Sequence, residues 1–127
     1  MGKSSARGIF QVAYHITGTL SADANIRWTA PCDCTLIHVS AVASNDSDAT
    51  LALGTSADAD GYLTAGVIGD SNVPVEKEAL SDFAGALAGS QYPRIADGDV
   101  LVITLDHDGA GGTAAADVTI ALTFAEG

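Results

Sequence analysis

Four aspartates lie within twenty residues in the segment SNDSDATLALGTSADADGYL, residues 44–63. Two stretches, DADG at 58–61 and DHDG at 106–109, begin as a calcium-binding EF-hand loop does, with acidic oxygens at alternating positions before a glycine. In such a loop the twelfth residue is a bidentate glutamate, whereas here that position falls on Gly69 and Asp117. Asp and Asn also favour turns, because their side chains hydrogen-bond nearby backbone groups. The pattern therefore favours turns over a cation site.

A calcium site stays open as the alternative to plain turns. Its expected ligands are the four carboxylates of the two stretches: Asp58, Asp60, Asp106 and Asp108. No other cofactor is expected, because no pattern of residues in the chain calls for one.

The histidines give little indication of catalysis. His15, His38 and His107 each stand alone on a predicted strand or strand end. A Ser-His-Asp set is defined by geometry, so it cannot be chosen from chain order. The chain also has no Gly-x-Ser-x-Gly elbow, no HExxH motif and no Walker loop. We therefore expect that the protein is not an enzyme.

The residues that carry this chemistry lie in a pattern of short strands and turns. FQVAYHITGTL at 10–20 and DVTIALTF at 117–124 alternate apolar and polar residues, as strands with one face on a core do. Further strands are expected at 24–30, 35–44, 49–54, 66–70 and 99–108, with turn clusters between them. This spacing predicts an all-β, antiparallel sandwich of the jelly-roll kind.

One long connection departs from the strand pattern. In residues 73–89, Leu80, Phe83 and Leu87 recur at helical spacing after Pro74. The sequence therefore predicts one short helix, at about 75–84, within this connection. Residues 1–8 are expected to be a flexible arm, and 9–127 a single sandwich domain.

The charge balance restricts the partners. Sixteen acidic against five basic residues give a formal net charge of −11. Proteins bind nucleic acid largely by neutralising phosphates with Lys and Arg, so neither nucleic acid nor an anionic membrane is an expected partner. No apolar run approaches the roughly 18 residues that a membrane span needs. The start, MGKSSARG, does not resemble a secretory signal, and we expect synthesis in a cytoplasm.

The scarce basic residues are unevenly placed. Lys3 and Arg7 lie in the arm, and Arg94 follows the long connection. A basic arm can become ordered on a partner, by charge or by adding a strand to the partner's sheet. We therefore take Lys3, Arg7 and Arg94 as the candidate contact residues.

The order of several segments is similar to that of a known group of proteins. APCD at 30–33 and VSAVAS at 39–44 precede a strand of small residues with an acidic turn, and ADGD at 96–99 precedes the last two strands. Over residues 15–125 the chain resembles the small β-sandwich decoration (cement) proteins encoded among the head genes of tailed bacteriophages. No binding motif carries over residue by residue.

The resemblance implies a structural role in a virion. Decoration proteins bind the outer surface of the mature icosahedral capsid, often as trimers, and reinforce the junctions between capsomers. By this resemblance the expected partners are the major capsid protein and further copies of the chain as a homotrimer. The expected location is the outer capsid surface, after synthesis in the cytoplasm of the host bacterium.

A second function of a different class stays open. The domain could be a fibre, tail or host-recognition module that binds surface glycans. Trp28, Tyr62 and Tyr92 would then stack on sugars, and the aspartate-rich turns would hold a cation.

Overall fold

A computed structural model describes residues 8–83 and 91–127 of the protein. Within these residues the chain forms nine β-strands and a single turn of 3-10 helix at Leu80–Asp82. The strands are β1 (Ile9–Thr19), β2 (Ala24–Thr29), β3 (Cys34–Val42), β4 (Thr50–Gly54), β5 (Leu63–Val67), β6 (Val75–Lys77), β7 (Arg94–Ile95), β8 (Val100–Asp106) and β9 (Ala116–Glu126). No helix among the described residues is long and apolar enough to cross a membrane.

The alternating segments become strands with two distinct faces. Along β1 the side chains alternate between exposed and half-buried, and along β9 the inward residues from Val118 to Phe124 are fully buried. The two strands pair antiparallel from Ile9 with Ala125 to Ile16 with Val118. A slip of one residue would turn the apolar set of a strand outward, so burial of this face specifies the register.

The strands form two sheets. One sheet has the order β1-β9-β3-β6, with β7 also paired to β3, and the other has the order β2-β8-β4-β5. Four antiparallel pairs are nested along the chain: β1 with β9, β2 with β8, β3 with β6, and β4 with β5. This is the arrangement of a jelly roll, in which a long antiparallel ribbon is wound into two facing sheets. The predicted all-β sandwich is confirmed.

The strand directions give the molecule two ends. Loops 20–23, 43–49, 68–74 and 107–115 meet at one end, which we call the aspartate end. Loops 30–33, 55–62 and 96–99 meet at the other, the opposite end, together with Gly127. Residues that are far apart in the sequence therefore become neighbours whenever their loops share an end.

The core fills the space between the sheets. Its largest fully buried aliphatic and aromatic side chains come from both sheets: Leu36, Val39, Leu53, Ile95, Leu101, Ile103, Leu105, Val118, Ile120, Leu122 and Phe124. Burial of each such side chain stabilises the fold by about 1.5–3 kcal/mol before conformational entropy opposes it. Trp28 and Phe10 both stack on Phe124, with ring centroids 4.5 and 5.3 Å away. This aromatic cluster joins strands β1 and β2, one from each sheet.

Seven of the nine strands correspond to segments expected from the sequence. The boundaries agree within a few residues, except that the strand expected at 66–70 begins earlier, at Leu63. The two short strands β6 and β7 were not expected. Both pair with β3, Val75–Lys77 opposite Val39–Ala41 and Arg94–Ile95 opposite Cys34–Thr35.

The expectation of a helix at 75–84 is wrong for the described residues 75–83. Residues Val75–Lys77 are a strand, and the helical part is the single 3-10 turn Leu80–Asp82. The Asp82 carboxylate closes this turn by accepting hydrogen bonds from the amides of Glu78 and Ala79, each at 3.0 Å. Leu87, which completed the helical spacing, lies outside the described residues.

The expected arm, residues 1–8, lies outside the described residues except for Gly8. The Gly8 carbonyl accepts a hydrogen bond of 2.9 Å from the Glu126 amide. Lys3 and Arg7 therefore lie outside the described residues.

Candidate functional site

The aspartate end concentrates negative charge. Seven of the sixteen acidic residues lie in its loops or at the strand ends beside them: Asp23, Asp46, Asp48, Asp70, Asp106, Asp108 and Asp117. The four segments that form this end, 20–23, 43–49, 68–74 and 106–117, contain no Lys or Arg. The charge here is therefore balanced by hydrogen-bond donors and by whatever the solvent or a partner supplies.

Two of these aspartates meet a histidine. Because Ala24 of β2 pairs with Leu105 of β8, the next residues along, Asp23 and Asp106, lie side by side. One oxygen of Asp23 accepts hydrogen bonds from His107 Nδ1 at 2.6 Å and from the His107 amide at 3.0 Å. One ligand atom from each of Asp23, Asp106 and His107 lies within 4.8 Å of the other two. We call these three residues the Asp–Asp–His cluster.

The imidazole of this cluster is held in place. The His107 side chain is only 14% exposed. A methyl group added at Gly109 would come within 3.1 Å of the Nε2 edge of the ring, so only glycine lets the loop pass so close. The hydrogen bonds from the His107 ring and amide lower the pKa of Asp23, because they stabilise its charged form. The Nδ1 edge of the ring is thus directed at a carboxylate.

A second pair of carboxylates lies at the same end. Asp46 and Asp70 share a side-chain hydrogen bond, and their mutual repulsion adds to it in raising the pKa of Asp46. One oxygen of Asp70 also accepts a hydrogen bond from the Ser47 amide at 3.1 Å. The Ser47 hydroxyl is buried and has no hydrogen-bond partner among the described residues.

Two further aspartates brace the loops. Asp48 accepts a hydrogen bond of 2.7 Å from the Thr113 amide. Asp117 accepts one of 2.7 Å from the Gly18 amide and one of 3.1 Å from the Ser44 hydroxyl. Hydrogen bonds to charged groups contribute more than neutral ones. Asp48 therefore ties loop 43–49 to loop 107–115, and Asp117 ties the start of β9 to β1 and to loop 43–49.

The structure does not bring the four expected calcium ligands together. Asp58 and Asp60 lie in loop 55–62 at the opposite end, whereas Asp106 and Asp108 lie at the aspartate end. Each stretch forms a local turn: the Asp58 carbonyl accepts a hydrogen bond from the Gly61 amide at 3.1 Å. Likewise one oxygen of Asp106 accepts one from the Asp108 amide at 3.0 Å. Of the four, only Asp106 belongs to the Asp–Asp–His cluster.

Asp23 is the member of that cluster that the sequence did not suggest. It stands in the turn cluster SADA, far from residue 106 in the chain. Asp23 is brought beside Asp106 by the pairing of β2 with β8. The register of two strands that are distant in the chain cannot be predicted from the local alternation of apolar and polar residues.

Among the basic residues expected to contact a partner, Arg94 is the one that the structure describes. It lies on β7 near the opposite end, with one guanidinium nitrogen 3.7 Å from a carboxylate oxygen of Asp33. Both side chains are more than half exposed, and exposed pairs of this kind contribute little to stability. The guanidinium therefore remains accessible to a partner.

The aromatic rings expected to stack on sugars are packing residues. Trp28 lies against Phe124 in the aromatic cluster. Tyr92 packs edge-on against Phe83, and its hydroxyl donates a hydrogen bond of 2.8 Å to the Glu78 carbonyl. Tyr62 packs partly buried against the core. Each of the three rings thus has a packing contact within the fold and is only partly buried.

One side of the sandwich is open, and its two strands carry a single charged residue, the exposed Arg27 of β2. β1 and β2 are the last strands of their sheets on this side, and the side chains between them are only half-buried: Phe10, Val12, Tyr14, Ile16, Ile26 and Trp28. β1 is eleven residues long and contains no Asp, Glu, Lys, Arg or Pro. Natural sheets usually protect such an edge with charges, prolines or a cover. We call the surface formed by β1 and β2 the open edge.

Comparison with known proteins identifies a shared fold. No family model and no curated protein matches the chain. Among solved structures, a chain of the "Cyanophage Pam1 capsid asymmetric unit" matches with a TM-score of 0.55 and 14% sequence identity. The match covers 96% of this chain and 86% of the other. At this identity the match shows that the two chains share a fold along nearly their whole lengths.

Proposed function

We propose that the protein is a structural component of a tailed-bacteriophage virion that binds the outer surface of the mature capsid and reinforces capsomer junctions. The observation that carries this proposal is the jelly roll shared, over 96% of the chain, with a protein of a cyanophage capsid. The resemblance of segments 30–33, 39–44 and 96–99 to decoration proteins supports the same function from the sequence.

The charge supports the outer rather than the inner surface. A net charge of −11 disfavours contact with packaged DNA, whose phosphates are neutralised by cations. The seven aspartates at one end would repel DNA most strongly. Outside the shell the same charge keeps free copies apart and soluble.

The open edge supports self-association as a homotrimer. Its half-buried apolar side chains and the free edge of β1 would be covered by a second copy, and closed cyclic assemblies are common among homo-oligomers. Because the open edge lacks carboxylates on β1, copies can approach there with the least repulsion. A trimer also gains avidity on a repeating shell lattice.

The mechanism is adhesion, and no catalytic step is proposed. The major capsid protein is the proposed partner, and Arg94 with the arm residues Lys3 and Arg7 is the proposed contact. The proposed location is the outer capsid surface, reached from the host cytoplasm.

Co-sedimentation with mature shells that lack this protein tests the proposal. We expect saturable binding at a fixed ratio to shell subunits, weakened by high salt and by deletion of residues 1–8. A fold shared with a capsid protein does not by itself imply that this protein binds shells. Absence of binding at both low and high salt would overturn the proposed function. Binding that is unchanged by the deletion would remove Lys3 and Arg7 from the contact.

A further inference from the structure

We propose that Asp23, Asp106 and His107 form a binding site for one divalent transition-metal ion, with Zn²⁺ as the reference ion. This site shares only Asp106 with the four calcium ligands suggested by the sequence, and it differs from them in its metal. It is also independent of capsid binding, so either proposal can fail without the other.

The spacing of the ligand atoms fits a single ion. One donor atom from each residue lies within 4.8 Å of the other two. Two atoms that bind one metal at about 2.0–2.2 Å lie at most about 4.4 Å apart, so only small side-chain movements would bring the three donor atoms onto one ion. The tightest pair, His107 Nδ1 and an Asp23 oxygen at 2.6 Å, now shares a proton. An ion would replace that proton after a small outward movement of the two atoms.

The donor set selects the class of metal. Calcium prefers six to eight oxygen ligands, whereas imidazole nitrogen with carboxylate oxygen suits zinc and its neighbours in the first transition row. The imidazole also separates this cluster from the Asp46–Asp70 pair, which offers carboxylates alone. Three protein ligands would leave the remaining coordination positions to water.

The surrounding structure orients the ligands in advance. His107 is mostly buried, and the close passage of Gly109 beside Nε2 leaves Nδ1 to face the carboxylates. Asp106 is steadied by the Asp108 amide, and Asp23 by the His107 amide, each at 3.0 Å. Such supporting hydrogen bonds are typical of metal ligands. No Lys or Arg in the loops of this end competes for the carboxylates.

A bound ion would clamp two strands at their ends. Asp23 directly precedes β2, Asp106 is the last residue of β8, and His107 follows it. The ion would thus hold loop 20–23 against loop 107–115. Because an ion that binds only the folded chain stabilises it, Zn²⁺ should raise the melting temperature.

Calorimetric titration of the tag-free, EDTA-treated full chain with Zn²⁺ tests the site. We expect saturation at one ion per chain, and binding weakened by at least about 10-fold in both H107Q and D106N, as loss of metal-site groups typically produces. D106N keeps a side-chain oxygen for the Asp108 amide. If H107Q does not fold, D106N therefore decides the question alone.

Two control variants separate this site from nonspecific attraction. H38Q removes a histidine that also contacts a carboxylate, that of Glu76 at 2.8 Å, but has no third ligand in the described structure. D46N removes a charge from the acidic-only pair at the same end. Both should bind Zn²⁺ as the unchanged protein does. The proposal would be overturned by an absence of saturable binding, by equal weakening in H38Q or D46N, or by Ca²⁺ binding as tightly as Zn²⁺ and without dependence on His107.

Discussion

At the scale of residues, some aspartates accept hydrogen bonds from backbone amides, whereas others lie against a second carboxyl group. Asp48 accepts a backbone amide from another loop and Asp117 accepts one from β1, whereas Asp106 accepts the nearby Asp108 amide, the local use that makes turns rich in aspartate. Asp46 and Asp70, in contrast, place two carboxyl groups in one hydrogen bond. The sequence predicts only the local use, because the contacts of Asp48 and Asp117 and the Asp46–Asp70 pair all join segments that are far apart in the chain.

The Asp46–Asp70 pair makes stability depend on pH. The pKa of Asp46 is raised in the folded protein by the hydrogen bond to Asp70 and by its charge. A group whose folded pKa is raised holds its proton more tightly when folded. The stabilisation is therefore present at acidic pH and is lost as the pH rises from the ordinary aspartate pKa through the raised one.

We expect Asp70→Asn to raise the melting temperature slightly at neutral pH. At a pH below both the ordinary aspartate pKa and the raised pKa of Asp46, the melting temperature should be nearly unchanged. The asparagine oxygen can still accept the Ser47 amide, so the loop geometry is retained. Thermal unfolding at the two pH values measures the effect. Asp60→Asn, at the opposite end, removes one charge without relieving this pair. An equal rise in that variant would show that net charge, and not the pair, is responsible.

At the scale of elements, long strands were predictable and short ones were not. β1 and β9 carry eleven residues each with unbroken alternation, so the local pattern is enough. β6 has three residues and exists because Val39–Ala41 of β3 offers it a free edge. That pairing overrides the helical spacing of Leu80 and Phe83. The site shows the same limit, since Asp23 reaches Asp106 only through the register of β2 and β8.

The pairing of β1 with β9 contains an irregularity that depends on one glycine. The register shifts between Ile16 and Thr19, and Gly18 has a φ of 83° there. Its amide donates to Asp117, itself at a φ of 50°. A side chain at Gly18 would meet no atom within 4 Å, so any cost of adding one comes from the backbone alone.

We expect Gly18→Ala to lower the free energy of unfolding by about 1–2 kcal/mol, the usual cost of a left-handed conformation for an L-residue. Denaturant titration measures this change. Gly111→Ala is the matched control, because a side chain there also meets no atom within 4 Å and its φ is not left-handed. Gly111→Ala should leave the free energy of unfolding unchanged or raise it, because alanine lowers the entropy of the unfolded chain. An equal loss at both glycines would contradict the assignment of the loss to the left-handed conformation at Gly18.

At the scale of the whole molecule, charge and apolar surface are separated in space. Both ends carry carboxylates, seven at the aspartate end and six at the opposite end, where Arg94 also lies, whereas β1 contains no Asp, Glu, Lys or Arg. The sequence predicts the excess of charge but not this separation, which arises when the jelly roll gathers four distant loops at one end. The proposed self-association and the proposed shell binding therefore involve different surfaces and can be tested separately.

We expect Val12→Lys to abolish the proposed trimer while leaving a folded monomer. Val12 is half-buried on β1, so a lysine there can extend its ammonium group to water. A charge pointing inward from an edge strand is a common natural barrier to association between edges. Gln11→Lys adds the same charge to the exposed face of the same strand and should leave the assembly intact. Sedimentation velocity distinguishes the two.

Arg94→Glu should weaken binding to shells and leave the proposed trimer intact. It reverses a charge that lies away from the open edge, so the trimer should persist while binding to shells weakens and loses much of its salt dependence. The same co-sedimentation assay, with sedimentation velocity on the same samples, measures both properties. If Arg94→Glu dissociated the trimer, or if Val12→Lys bound shells as tightly as the unchanged protein, self-association and shell binding would not be separable. The assignment of the open edge to one and Arg94 to the other would then be wrong.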